Sequence, residues 1–147
     1  MTTLSHADEV TIGWALNRSQ RRELLAKFEP TYPNVIADHV TLKVRVPAAT
    51  PLPADRQGEI VGRVDDEQGV EAMVVRIGGA TDRPGGGVYH ITWSLDEGRE
   101  AVESNAVIAQ LGWAALPQPM PIILEPVRTR SGGARWAIER GLSEHHT

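Results

Sequence analysis

A chain of 147 residues with a formal charge of −4 is long enough to bury a core as one domain, and too acidic as a whole to supply the basic field of an extended nucleic-acid footprint. It has no cysteine, which excludes disulfides, thiolate nucleophiles and thiolate zinc sites and suits a reducing cytoplasm. Residues 1–6 lack the basic-then-apolar order of a signal peptide and no apolar run is long enough to cross a bilayer, so the expectation is a soluble, cytoplasmic protein with no membrane partner.

Residues 11–16 alternate as a first strand, with Ile12, Trp14 and Leu16 on one face. A helix is expected next. Asn17 is placed to cap it, Gln20 to reach back in a capping box, and Leu24, Leu25 and Phe28 to form an apolar stripe among charged residues. Pro30 and Pro33 bar its continuation, and residues 32–38 lead into a second strand. There Val40, Leu42, Val44 and Val46 alternate with His39, Thr41, Lys43 and Arg45, which predicts one oily face and one polar, partly cationic face.

Beyond an extended link holding Pro47, Pro51 and Pro53, residues 59–64 and 70–77 predict a hairpin around 65–69, with Met73, Val75 and Ile77 buried and Arg76 on its second strand. The glycine-rich stretch 78–87 ends in no Gly-Lys-Ser/Thr and precedes a strand rather than a helix, so neither nucleotide-binding glycine fingerprint applies. It reads as a mobile loop. In the following strand Tyr89, Ile91, Trp93 and Leu95 alternate with His90, Thr92 and Ser94. A helix over 104–113, with Val107, Ile108 and Leu111 inward and Gly112 at its end, a strand over 121–127 and a last element over 134–139 complete the series. His145 and His146 in the tail are assigned no role.

Two strings answer each other: His39-Val40-Thr41-Leu42 and His90-Ile91-Thr92-Trp93. Each sets a histidine and a threonine on the polar face of an alternating strand. A lone His-x-Thr arises by chance in many chains; a pair, each in such a strand, is far more specific. If the strands neighbour each other, two imidazoles and two hydroxyls converge on one surface.

This arrangement resembles the 2H phosphoesterases, a superfamily defined by two His-x-Thr/Ser-x motifs on paired strands. Both strings fit at every position, and the likeness would run roughly from Thr11 to Ile123. It is closest to the compact branch similar to the cyclic phosphodiesterase modules of tRNA ligases. The resemblance implies a single α+β domain over 1–147, bilobal, with antiparallel sheets and a few flanking helices. It implies a phosphodiesterase that opens a 2′,3′-cyclic phosphate on an RNA 3′ end or a cyclic nucleotide to a 2′-phosphate.

Such hydrolysis needs a base for water, an acid for the departing ribose oxygen and donors for the phosphoryl oxygens. Imidazoles, with an ordinary pKa of about 6.5, can serve as base and acid together near neutrality, and Thr41 and Thr92 are the candidate donors. No metal or cofactor is required. A metal set of His39, His90 and Asp38 is disfavoured because Asp38, adjacent to His39, would point to the other face of a strand. Tyr32 is a candidate platform for a base and equally suits a structural role; Lys43 and Arg76 are candidate phosphate contacts, although each taken singly better suits a solvated strand face. The resemblance gives His90 the water and His39 the leaving oxygen, while the residues themselves leave these roles exchangeable. Alternatives from other classes are a non-catalytic nucleotide- or RNA-end-binding module and a protein-interaction domain. A phosphodiesterase for another cyclic nucleotide is a nearer variant. Oligomeric state is not fixed by the sequence.

Overall fold

Strand follows strand along most of the chain. A computed structural model describes residues 9–130, so the predicted element at 134–139 and the tail histidines lie outside the described residues. The order is β1 (Glu9–Leu16), α1 (Arg18–Lys27), β2 (Asn34–Val35), β3 (His39–Pro47), β4 (Gln57–Asp65), β5 (Val70–Arg76), β6 (His90–Leu95), α2 (Glu103–Leu111) and β7 (Ala114–Arg130).

The bilobal α+β expectation is overturned. All seven strands join one antiparallel sheet in the order β2-β6-β5-β4-β7-β1-β3, curled into a half-barrel with only two helices. The connectivity explains the curl. β2 and β3 occupy opposite edges of the sheet, yet only Ile36, Ala37 and Asp38 separate them in the chain. The four Cα steps from Val35 to His39 span at most about 14 Å, so the edges must approach each other, as the twist of a sheet permits. Alternation in the sequence specifies strands, but it does not say which edges meet.

Residues from strands near both ends of the order, Val40 of β3 and Trp93 of β6, share one core cluster with Trp14, Ile60, Met73, Ile91 and Leu124. That face is therefore the inner one. α1 lies against it through Leu24, which is wholly buried, with Leu25 and Phe28 partly so. Asn17 caps α1 by accepting from the Gln20 backbone N–H at 3.0 Å, as the sequence predicts. The capping box does not form. The Gln20 side chain instead donates to the Pro121 carbonyl and accepts from the Ile123 N–H, tying α1 to β7.

A second cluster, including Val64, Val70, Ala72, Val74, Leu95, Val107 and Ile108, packs α2 on the other face of β4, β5 and β6. Leu111, expected inward, is 60% exposed, because α2 ends there with Gly112 at φ 70°. In β3 the predicted oily face breaks at Val44, which is exposed. Register shifts between Val10 and Gly13 of β1 and a left-handed Arg45 at φ 57° interrupt the period of two. β7 begins seven residues earlier than predicted: it pairs with β4 at Ala114 and Ala115, bulges through 116–119, and pairs again from Met120. The bulge accommodates prolines that could not serve a regular ladder. No helix among the described residues is long and apolar enough to cross a membrane.

Candidate functional site

The link between β2 and β3 brings the two motifs together. β2 pairs with β6 at Asn34↔Leu95 and Val35↔Ser94, and the Ile36 and Ala37 N–H groups continue along β6 by donating to the Trp93 and Thr92 carbonyls, each at 2.9 Å. Extended further, the same register would set His39 opposite His90. Before that point Ala37 takes a left-handed φ of 43°, and the chain swings from β6 to its new partner β1, where His39 pairs with Ala15. The two histidines remain near enough for the charge of His39 to act on His90.

His90 is held from behind. Its Nδ1 lies 2.8 Å from the Val88 carbonyl; a carbonyl only accepts, so Nδ1 carries the proton and Nε2 keeps its lone pair when the ring is neutral. Burial pushes the His90 pKa below the ordinary histidine value. The bond to Val88 opposes this, while the charges of Arg83 and His39 add to the lowering. A neutral ring with its lone pair on Nε2 is the form a general base requires.

His39 is held differently. Its Nδ1 is buried and lies 3.5 Å from Asp38 Oδ2. The sequence-based expectation that Asp38 points away fails because Asp38 precedes the strand, directly after the left-handed Ala37. Asp38 also lies 3.9 Å from Arg18. Even with Asp38 beside His39, no three His, Asp or Glu side chains converge as a metal-ligand group among the described residues.

The threonines part company. Thr41 is half-buried on β3, and among the described residues no hydrogen bond engages its hydroxyl. Thr92 is buried at 6% exposure, with its hydroxyl 2.9 Å from Ser104 Oγ and 3.3 Å from the Ala101 carbonyl. It fastens α2 to β6 and does not offer a free donor, a correction to the expected symmetry.

Two of the predicted substrate contacts lie elsewhere. Arg76 is engaged by Glu59, with Nε and Nη2 at 2.9 and 2.6 Å from Oε1, and lines a groove with Gln57, Gly78 and Ile123 that contains neither motif histidine. Tyr32 donates to Asp65 Oδ1 at 2.6 Å, and its backbone N–H donates to Ser94 Oγ. Burial and the Asp65 carboxylate push the Tyr32 pKa up to about 12. Tyr32 adjoins a buried network in which Glu71, fully buried, accepts from Ser94 Oγ, the Thr31 N–H and the Arg63 guanidinium. Its place is structural, pinning the segment after α1 to the sheet. Lys43 is exposed on β3, two positions beyond Thr41.

Sequence reasoning missed Arg83. The loop that reads as merely mobile is hydrogen-bonded within itself: the Arg83 N–H donates to the Gly87 carbonyl, the Gly86 N–H donates to the Arg83 carbonyl, and Arg83 Nε donates to the Gly86 carbonyl. From this turn the guanidinium reaches Asn105 Oδ1 at 3.2 Å and the Thr41 carbonyl at 3.5 Å. The signal available in the sequence was a cation embedded in glycines just before a motif strand, with nothing to say where it would point.

No family model, curated protein or solved structure matches the chain.

Proposed function

We propose that this chain is a metal-independent phosphodiesterase that opens a 2′,3′-cyclic phosphate, on an RNA end or a nucleotide, by two-histidine acid–base catalysis. The single observation that carries this is that the link from β2 to β3 runs along β6 in the register that leads toward His39 and His90, close enough for the charge of His39 to act on His90. With the bilobal fold gone, what supports it is the site and the paired motifs rather than the architecture.

In this mechanism His90 Nε2 takes a proton from water as the water oxygen bonds to phosphorus. The bond from phosphorus to a ribose oxygen breaks, and His39 Nε2 gives that oxygen its proton. One proton is taken and one returned, so the pair exchanges protonation states in each turnover and solvent resets it. The lowered pKa of His90 suits the base, and the open hydroxyl of Thr41 is placed on the strand that carries the acid. Cleavage at the 3′ oxygen yields the 2′-phosphate, the product that the 2H resemblance favours.

The test is incubation with each nucleoside 2′,3′-cyclic monophosphate and with an oligonucleotide ending in a cyclic phosphate, chelator present, followed by product analysis. Turnover to a phosphomonoester is expected. Tight binding without turnover would select a nucleotide-binding module instead, and neither binding nor turnover would remove phosphoesters from consideration.

A further inference from the structure

We infer that Arg83 is the anchor for the substrate's phosphoryl group and that the 83–87 glycine turn exists to present it. The inference rests on the proposed phosphoester site and adds to it the residue that would hold the anion.

The partners of this guanidinium are its first peculiarity. Arg63, Arg76 and Arg99 each reach a carboxylate. Among the described residues Arg83 donates only to neutral oxygens, the Gly86 and Thr41 carbonyls and Asn105 Oδ1. A guanidinium has five N–H groups; three are directed to these oxygens and two remain. A half-buried cation whose partners are all neutral has lost part of its hydration without gaining a counter-charge, and burial works against its charge here. An anion entering beside it would restore the balance through short, charge-assisted bonds.

Its position fits that anion to the reaction. Arg83 touches β3 at Thr41, the strand that carries His39, and its charge acts on His90 across the gap. A phosphoryl group bound here would lie within reach of both imidazoles. The neighbouring elements fix the side chain: Asn105 of α2 accepts from Nη2 at 3.2 Å while its own amide donates to the Val102 carbonyl. Gly87 is shaped for the same purpose. A Cβ there would lie 2.6 Å from Arg83 Nη2, and its φ of 87° is unfavourable to any other residue.

The experiment measures phosphate affinity and hydrolysis separately. Inorganic phosphate and a nucleoside 2′-monophosphate are titrated against the full chain by NMR, for the wild type, Arg83→Gln, Arg83→Lys and Gly87→Ala. Arg83→Gln is expected to weaken both ligands by at least about tenfold. Arg83→Lys should recover part of the loss, and Gly87→Ala should weaken binding by pushing the guanidinium aside. Removing the charge in Arg83→Gln should also raise the pKa of His90, whereas Arg83→Lys, which keeps the charge, should leave it nearly unchanged. If Arg83→Gln binds phosphate as tightly as the wild type, or if the wild type binds none, the anchor is refuted. Turnover of cyclic phosphates with unchanged KM and kcat in Arg83→Gln would refute it while leaving the phosphodiesterase in place. Arg83-dependent phosphate binding without any turnover would uphold the anchor and remove the hydrolase.

Discussion

β3 and β6 carry the same motif and treat it in opposite ways. β6 lies inside the sheet between β2 and β5, with Ile91 to Ser94 all buried. Its histidine is held by a carbonyl and its threonine is closed off by α2. β3 is an edge strand with two register shifts, its Val44 turned to solvent, its histidine beside a carboxylate and its threonine hydroxyl open. Matching His-x-Thr motifs therefore receive unlike electrostatic surroundings. The near symmetry of the sequence, in which acid and base are interchangeable, is broken by where each strand sits in the sheet. His90 becomes suited to accept a proton.

The largest effects fall on the histidines. His39→Ala and His90→Ala should each lower turnover by roughly a hundredfold or more with the fold intact. A substrate whose leaving oxygen has a low pKa should then rescue His39→Ala and not His90→Ala, since such a group needs little protonation. Rescue of His90→Ala alone would reverse the roles, and rescue of neither would make both rings phosphate binders.

The threonines should separate along a different axis. Thr92→Val leaves Ser104 without its buried partner and is expected to cost about 1–3 kcal/mol in urea unfolding. Thr41→Val should leave the unfolding midpoint nearly unchanged and reduce turnover. Equal stability losses in the two variants would show that the contrast between the strands is superficial.

A smaller effect concerns pH. With its pKa lowered, His90 stays neutral below about pH 6.5, the ordinary histidine value, so the acid limb of kcat/KM should lie on the acid side of that point. The same shift affects stability. The unfolded chain takes up the proton first, so the contribution of a neutral His90 is present above the unfolded pKa and is lost as pH falls through it toward the folded value. An acid limb above the ordinary value would mean that His90 is not the base.

Much of this was legible in the sequence. Period-two alternation found β1, β3, β5 and β6, period 3.6 found α1 and α2, and the buried faces of Trp14, Val40, Ile91 and Trp93 followed directly. What the sequence could not express is closure. Nothing local to Ile36, Ala37 and Asp38 announces that three residues join opposite edges of one sheet, and from that connection come the curl, the nearness of the histidines and the turn of Asp38 toward His39. Bulges were hidden for the same reason: Val44 and the 116–119 segment deviate because of their partners in β1 and β4. Arg83 and Glu71 were missed because a loop side chain and a buried strand carboxylate acquire their roles only from distant neighbours, Asn105 and Thr41 for one, Arg63 and Thr31 for the other.

Whether the two motifs form one working unit is measured most directly by hydrolysis of a nucleoside 2′,3′-cyclic monophosphate by the wild type, the two single histidine variants and His39→Ala/His90→Ala. Groups that act on one phosphoryl centre are not additive. The double variant should lose little more activity than the more damaged single one. Losses that multiply would contradict a single site shared by β3 and β6.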